Sequence, residues 1–364
     1  MTSALRAPFP YRRNSLNLFR LVLAALVLYA HAFYLAGMDG NPSFNGEHLG
    51  GWAVSGFFVI SGFLITRSRF RTSAGSYLVH RIARIFPAFL ACLVVTAFVF
   101  APVALVMSQG DLDGFLSTAP TPLQYVWGNI ALYVKQYSIG ATLTGIPYPD
   151  AWNGSLWTLY FEFFCYSITW VLGFLAIYRR SVVAVGIVWV LGVLLRVITG
   201  AGIMGGLDDD FAQMARLFPF FAGGALIYMV VDRWGLDRRV GIACIPIAGA
   251  LMVFVPTVGG QLAAPALAYA LLFLSTVIPQ PGWIARNDVS YGFYIYAWPV
   301  QQLTVVAGAL SLGFPAYLAI TALITFGLAW LSWVLVERPI MMRVRSSGER
   351  PGDIQPVAAP SALA

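Results

Sequence analysis

Hydrophobic stretches recur along the whole chain and are separated by short polar connections. A stretch of about 17 to 25 apolar residues is long enough to cross a bilayer as one α-helix. The stretches that meet this criterion are 17–37, 49–66, 86–107, 153–177, 181–199, 212–231, 240–257, 262–278, 289–309 and 316–336. The pattern predicts an all-α fold, a polytopic transmembrane helical bundle with about ten spans.

The composition supports a membrane protein. Of the 364 residues, 59% are hydrophobic and 10% are charged, whereas soluble domains carry about 25% charged residues. The apolar run after the basic start is too long for a removable signal peptide, so we expect an uncleaved first span. The three cysteines lie in apolar stretches without metal-ligand spacing, which predicts small buried side chains and neither a disulfide framework nor a metal site.

The charged residues alternate between the two sets of connections that such a bundle creates. Eighteen of the 22 basic residues precede the first stretch or follow an even-numbered one, whereas the other connections are mainly acidic and contain Lys135. Because cytoplasmic loops are enriched in Arg and Lys, this distribution predicts that both termini are cytoplasmic. The net charge of +7 therefore indicates membrane topology, with membrane lipid and not nucleic acid as the partner.

The same pattern suggests the domain boundaries. We expect a basic cytoplasmic segment over 1–16, a single transmembrane domain over 17–340 and a disordered cytoplasmic tail over 341–364. One external connection is long, about 108–152, and is rich in Pro and Gly. Long loops are often functional, so this one is either a lid or the carrier of an interfacial helix from Leu123 to Tyr133.

An arginine and a histidine lie within the first apolar stretch. Ten residues separate Arg20 from His31, which places them about 16 Å apart and near one face of a helix. Ionisable residues at membrane depth are costly and usually functional. Arg20 can alternatively extend its charge to the surface, and His31 can bond a neighbouring carbonyl. We favour His31 as a general base, because a neutral imidazole accepts a proton near pH 7.

Two arginines lie at the predicted cytoplasmic end of the third span. The i, i+3 spacing of Arg81 and Arg84 places both guanidiniums on one helical face. Paired guanidiniums bind phosphate well because each planar fork donates two hydrogen bonds. The pair indicates a site for an anionic cosubstrate or an anionic lipid, although cytoplasmic loops are rich in arginine for topological reasons alone.

A carboxylate lies about two turns inside the fourth stretch. Ser155 and Glu162 follow one helical stripe, and Trp157 is typical of the membrane interface. A lone carboxylate at this depth is either functional or part of a structural ion pair. The candidate partners for such a pair are Arg20, Arg196 and Arg216.

Two more segments carry notable patterns. Small residues at Gly51, Ser55 or Gly56, and Gly62 favour close approach of helices. Aromatic residues fill the segment 290–299, which indicates a core stripe, an interfacial belt or the lining of a sugar path.

Together these segments resemble the acyltransferase-3 family of integral membrane acyltransferases, from about Asn14 to Pro339. The residues that carry the resemblance are Arg20 and His31; Phe57-Phe58 with Ser61-Gly62-Phe63; Arg81, Arg84, Phe86 and Pro87; Ser155 to Glu162; Ser290-Tyr291; and Glu337-Arg338-Pro339. The chain departs from the family at Ser55-Gly56, where many members have an acidic or amide residue, and at Trp298-Pro299, where many have His-Pro.

The resemblance implies a membrane O-acyltransferase of the bacterial plasma (inner) membrane. Such an enzyme moves an acyl group, usually acetyl, from cytoplasmic acyl-CoA (acetyl-CoA) to a hydroxyl of a saccharide or lipid-linked oligosaccharide, as in exopolysaccharide biosynthesis, without a metal. The implied catalytic residues are His31, Glu162 and Arg20, with Glu162 orienting the imidazole. The implied acyl-CoA-binding residues are Arg81 and Arg84, and those of the substrate path are Ser155, Trp157, Tyr291 and His48.

A different class of protein also fits the buried charges. A transporter or flippase for a lipid-linked saccharide would use Arg20, His31 and Glu162 as an intramembrane relay. Transporters often contain repeated broken helices, and this sequence has no such pair.

Overall fold

The computed structural model describes residues 6–202 and 208–348, with side chains to residue 344. The α-helices in these ranges are α1 (Leu16–Leu35), α2 (Leu49–Arg71), α3 (Ala74–Val95), α4 (Ala101–Gln109), α5 (Pro122–Asn129), α6 (Trp157–Leu172), α7 (Ala176–Arg180), α8 (Val182–Gly200), α9 (Asp209–Trp234), α10 (Arg238–Phe254), α11 (Gly259–Val277), α12 (Gly282–Arg286), α13 (Ser290–Val306), α14 (Phe314–Ser332) and α15 (Arg338–Gly348). Two short antiparallel ladders complete the regular structure: β1 (Arg6–Ala7) with β4 (Leu236–Asp237), and β2 (Ser43–Phe44) with β3 (Glu47–His48).

Each predicted span falls on one of these helices or on consecutive helical segments, so the all-α fold of a membrane protein is confirmed. Within the described ranges, seven helices are long and apolar enough to cross a membrane. The helices α6, α10 and α13 contain 16, 17 and 17 residues and are shorter than those seven. The number of spans and the side on which the termini lie stay predictions.

The connections rich in arginine contact one another, and so do the mainly acidic ones. Among the first set, Ser15 donates a hydrogen bond to the carbonyl of Ser275, and Arg179 donates one to the carbonyl of Phe70. Among the second set, Asn45 donates a hydrogen bond to the carbonyl of Val255 at 2.7 Å. We call the end of the bundle with the first set the arginine-rich end and the end with the second set the loop end.

Helices α2 and α9 cross in close contact. A Cβ atom on Gly62 would lie 1.9 Å from the carbonyl oxygen of Phe221, and one on Gly224 would lie 2.0 Å from that of Val59. Only glycine permits this backbone approach. The predicted packing role of Gly62 is therefore confirmed, and α2 is held in the middle of the bundle.

Two π-helical turns interrupt long helices. Thr96–Phe100 joins α3 to α4, and Trp333–Glu337 joins α14 to α15. The second turn ends on Glu337, whose side chain is 1% exposed. Such turns often occur at functional sites.

The last helix extends further than the sequence suggests. The α15 helix reaches Gly348, so the chain is still helical where we expect the disordered tail to begin, at residue 341. The remainder of the predicted tail, 349–364, lies outside the described residues.

The long loop contains the helix expected there. Thr121 caps α5 together with Gln124 in a reciprocal capping box, which explains why the helix begins at Pro122. The loop is anchored on α13, because Trp298 Nε1 donates to the carbonyl of Ala151 at 3.0 Å and Gln302 donates to the same carbonyl at 2.7 Å.

Candidate active site

A cavity of about 510 Å³ opens at the arginine-rich end. Residues of α1, α3 and α15 and of the segment before α13 form its walls. Its polar lining residues are Asn17, His80, Arg81, Arg84, Arg286, Asp288 and Arg338. This space, the arginine cavity, brings the predicted Arg81 and Arg84 pair together with further basic groups.

Two carboxylates hold Arg84 in this cavity. Its guanidinium lies 2.6 Å from Asp288 Oδ2 and 3.1 Å from Glu337 Oε2. Asp288 Oδ2 also pairs with Arg20, and Ser332 donates a hydrogen bond to Glu337 at 3.1 Å. The four charges form a compensated network, as burial of ionised groups requires.

Asp288 is the shared member of this network, and sequence reasoning missed it. Burial acts to raise the pKa of its carboxyl, but the charges of Arg20 and Arg84 outweigh burial and lower that pKa to about 2. Ser290 also donates to Asp288 Oδ1 at 2.6 Å. The available signal was an aspartate next to a basic connection, two residues before the Ser290-Tyr291 motif.

Arg81 is less well compensated than Arg84. Its guanidinium lies 5.9 Å from the ring centre of Tyr77, and its Nε is buried without a hydrogen-bond partner. No ion pair involves Arg81 among the described residues. Arg81 therefore gives the arginine cavity a positive charge with which no described carboxylate forms an ion pair, and such a charge favours an anionic ligand.

A second, narrow cavity lies deeper in the bundle and has a volume of about 30 Å³. Helices α1, α2, α6 and α13 surround it. Its polar lining residues are Arg20, Thr158, Glu162, Ser290, Tyr291 and Tyr294. Because Arg20 lines this cavity and Asp288 lines the arginine cavity, their ion pair lies between the two spaces.

Glu162 faces the narrow cavity and has polar partners of its own. Its Oε1 accepts hydrogen bonds from Ser61 at 2.7 Å and from Tyr166 at 2.6 Å. No ion pair involves Glu162 in the described ranges, since Arg20 pairs with Asp288 and Arg216 with Glu47. Among the described residues, Glu162 therefore does not form the structural ion pair that was one of its two possible roles.

The orienting contact expected between Glu162 and His31 is also absent. The His31 ring packs edge-on against Trp298, with ring centres 4.7 Å apart. Its Nδ1 is buried and has no hydrogen-bond partner in the described structure. Helix geometry explains the separation, because Glu162 shares a cavity with Arg20, about 16 Å along α1 from His31.

Trp298 connects His31 to the long loop. Its indole also packs against Tyr148, with ring centres 5.7 Å apart, and a Cβ on Gly154 would lie 2.6 Å from it. The ring therefore occupies the space between the histidine and the loop. This is the position at which the chain departs from the family pattern.

The residues predicted along a substrate path occupy different places. Ser155 is buried and donates to Asn153 Oδ1 at 2.8 Å, and Tyr291 donates to the carbonyl of Ile85 at 2.9 Å. His48 lies at the loop end and contacts Tyr34, with ring centres 5.5 Å apart. The structure thus does not bring Ser155, Tyr291 and His48 together in one cavity.

Trp157 lines a separate cleft at the loop end, with a volume of about 450 Å³. The lining residues are Tyr133, Val134, Tyr137, Trp157, Tyr160, Phe161, Asp210 and Gln213. Four of these rings are Tyr or Trp, which combine flat apolar faces with polar edges. We call this space the aromatic cleft.

Comparison with known proteins adds independent information. The model of the acyltransferase-3 family, described as an acyltransferase domain, matches residues 13–334. An O-acetyl transferase of Shigella phage Sf6 is 31% identical over 347 residues, which cover 92% of this chain and 97% of that protein. Nodulation protein 10 of Rhizobium leguminosarum bv. viciae is 28% identical over 367 residues, which cover 92% and 95%.

No solved structure matches the chain significantly. The family model covers most of the chain, and its matched range includes both Arg20 with His31 and the Ser155 to Glu162 motif. The chain therefore belongs to the acyltransferase-3 family of membrane acyltransferases.

Proposed function

We propose that this membrane O-acyltransferase moves an acetyl group from cytoplasmic acetyl-CoA to a hydroxyl of a cell-surface or lipid-linked saccharide. The observation that carries the proposal is the arrangement of two neighbouring spaces, separated by one ion pair. The arginine cavity contains the unpartnered Nε of Arg81. The ion pair of Arg20 with Asp288 joins this cavity to the narrow cavity that Glu162 lines.

Acyl-CoA suits the arginine cavity because its nucleotide end carries phosphates. Arg81 would donate from its unpartnered Nε, and the exposed Arg286 and Arg338 add positive charge at the opening. Arg84 is held in place by Asp288 and Glu337 before any ligand arrives. A preorganised guanidinium loses little entropy on binding phosphate.

The narrow cavity is where we expect the other end of the donor. Its volume of about 30 Å³ holds about two water molecules, which excludes a nucleotide and requires the lining side chains to move apart before the acyl-bearing arm enters. The acyl-bearing arm would pass Arg20, which Asp288 holds beside the path. Ser61 and Tyr166 fix the Glu162 carboxylate at the same level. We therefore assign Glu162 and Arg20 to guiding the arm on the donor side, so that the thioester at its tip extends along α1 towards His31, about 16 Å from Arg20.

His31 is the proposed general base. Its Nδ1 is buried without a hydrogen-bond partner among the described residues, and its ring packs against the indole of Trp298. The neutral ring would take the proton of the acceptor hydroxyl while the oxygen attacks the thioester carbonyl carbon. The carbon–sulfur bond then breaks, and the imidazolium returns the proton to the departing thiolate. Brief transfer of the acyl group to His31 before the acceptor is the two-step form of the same reaction.

The acceptor would bind at the loop end. Tyr133, Tyr137, Trp157 and Tyr160 offer ring faces on which sugar rings stack, and Asp210 supplies a hydrogen-bond acceptor. The relative from Shigella phage Sf6 bears the name O-acetyl transferase, which favours acetyl as the group that is moved.

The test uses a bacterial strain lacking the gene, complemented with the wild-type gene or with His31→Ala. Cells receive isotope-labelled acetate, and labelled acetyl groups on surface saccharide are measured. We expect label with the wild-type gene and none with the variant. Unaltered acetylation combined with lost saccharide export would instead identify a flippase and overturn the proposal.

A further inference from the structure

A second group of buried charges lies at the loop end, apart from the donor cavities. A cavity of about 310 Å³ opens between α2, α9, α11 and the loops beside them. Its polar and aromatic lining includes Glu47, Trp52, Arg196, Arg216, Phe220 and Gln261. We call it the diarginine cavity.

The two arginines of this cavity differ in their partners. Arg216 pairs with Glu47 and donates from its Nε to Gln213 at 2.9 Å. The Nε of Arg196 is buried without a hydrogen-bond partner, and no described ion pair includes Arg196. Two guanidiniums and one carboxylate leave the cavity with one uncompensated positive charge.

The position of this positive charge is unusual for the chain. Most arginines belong to the arginine-rich end, whereas the connections at the loop end are mainly acidic. Burying a cation in a membrane span costs free energy when no carboxylate forms an ion pair with it. A ligand that supplies the missing negative charge would remove this cost.

We propose that the diarginine cavity binds an oxyanion, a phosphate group carried by the acceptor. A guanidinium offers two parallel donors to such a group. The cavity lies beside the aromatic cleft, because Arg216 is 5.9 Å from the ring centre of Trp157 and bonds Gln213, and both residues line that cleft. An acceptor can therefore place its sugar in the cleft and its anionic group on Arg196 and Arg216.

The identity of the ligand as the acceptor rests on the proposed function, but anion binding does not. Binding is measured on the full-length protein with two probes: inorganic pyrophosphate, and nanodiscs of phosphatidylcholine containing a polyprenyl phosphate. All variants are made in the Arg81→Gln background, which removes the guanidinium of the arginine cavity that has no ion-pair partner. We expect Arg196→Gln to weaken binding of the effective probe by about 10- to 100-fold, and Arg196→Lys to retain most of the affinity.

Two further variants separate this role from a structural one. Glu47→Gln removes the competing carboxylate and should strengthen binding, whereas Lys135→Gln removes an exposed charge from the same end and serves as the matched control. Binding of both probes indicates a site for free and lipid-borne anions, and binding of the nanodiscs alone indicates a lipid-borne phosphate. The proposal would be overturned if the Arg196→Gln and Lys135→Gln proteins bound each of the two probes with the same affinity.

Failure of the proposed function gives a different result. In that case Arg81→Gln leaves acetyl-CoA binding unchanged and no acetyl group is transferred, while the effect of Arg196→Gln on pyrophosphate or polyprenyl phosphate is still measurable. The two proposals can therefore be rejected independently.

Discussion

Arg20 and His31 lie on the same helix, yet their surroundings are opposite in kind. Arg20 belongs to a network of four charges that includes Asp288, Arg84 and Glu337. The His31 ring packs against Trp298 in a T-shaped arrangement, and its Nδ1 has no hydrogen-bond partner in the described structure. Towards one end of α1, the charge of Arg20 is balanced by Asp288. Towards the other end, the Nδ1 of His31 has no hydrogen-bond partner among the described residues.

The difference separates positioning from chemistry. A residue bound on several sides by opposite charges holds one geometry, and its removal disturbs the fold. An imidazole whose Nδ1 has no partner contributes no hydrogen bond to the fold through that atom, and we expect it to exchange a proton with a ligand. Substitutions at the two ends of α1 should therefore affect different measurements.

The largest expected effect is on turnover, at His31. His31→Ala removes the general base, and we expect the rate of acetyl transfer to fall by about 10²- to 10⁴-fold. Labelled acetyl transfer in membrane vesicles measures the loss. Binding of acetyl-CoA should be unchanged, because His31 lies away from the arginine cavity.

The matched control is Tyr29→Ala, which removes another ring from α1 that has an edge-on aromatic contact, here with Phe33. Near wild-type transfer by that variant would tie the loss to the imidazole. Wild-type transfer by His31→Ala would remove the residue from the chemistry.

The second effect is on stability, at Asp288. Asp288→Asn leaves Arg20 and Arg84 without their shared carboxylate, and losing one member of a buried ion pair costs about 3 to 5 kcal/mol. Thermal unfolding in detergent should show a clear loss. Asp232→Asn is the control, since its pair with Arg71 is exposed and such pairs contribute about 1 kcal/mol or less. Equal stability of the two variants would contradict a structural role for the network.

A related prediction concerns the stability of the folded protein at low pH. The folded-state pKa of Asp288 is about 2, below the ordinary value of 3.8, so its stabilising effect is complete above about pH 4. As the pH falls towards 2, that contribution, about 2 kcal/mol, is lost. The wild-type protein should therefore lose more stability than Asp288→Asn between pH 4 and pH 2. Parallel curves for the two proteins would show that Asp288 does not titrate in this range.

The helices and the site differ in how far the sequence predicts them. The long helices follow from local apolar length, so they are predicted from their own residues, and the role of Gly62 follows from its size. Partner choice is different, because Arg20 meets Asp288 and Ser61 meets Glu162 across distant parts of the chain. Those contacts depend on which helices become neighbours, which no local pattern encodes. For this reason Asp288 was missed and Glu162 was expected beside His31.

The smallest expected effect is on the KM for acetyl-CoA, and it distinguishes Arg81 from Arg84 within the arginine cavity. Arg84 is held by two carboxylates, whereas Arg81 has an unpartnered Nε. Arg81→Gln should therefore raise the KM for acetyl-CoA about tenfold with little change in kcat, as expected for loss of a binding contact. Arg84→Gln should in addition lower stability, because it leaves Glu337 buried without its ion pair.

The control for both substitutions is Arg180→Gln, an exposed arginine at the same end that lines a different groove. Its KM and melting temperature should match the wild type, because removing a distant exposed charge changes only the screened surface field. An equal rise in KM for Arg81→Gln and Arg180→Gln would mean that general positive charge attracts the donor. A rise confined to Arg81 and Arg84 would assign donor binding to the arginine cavity.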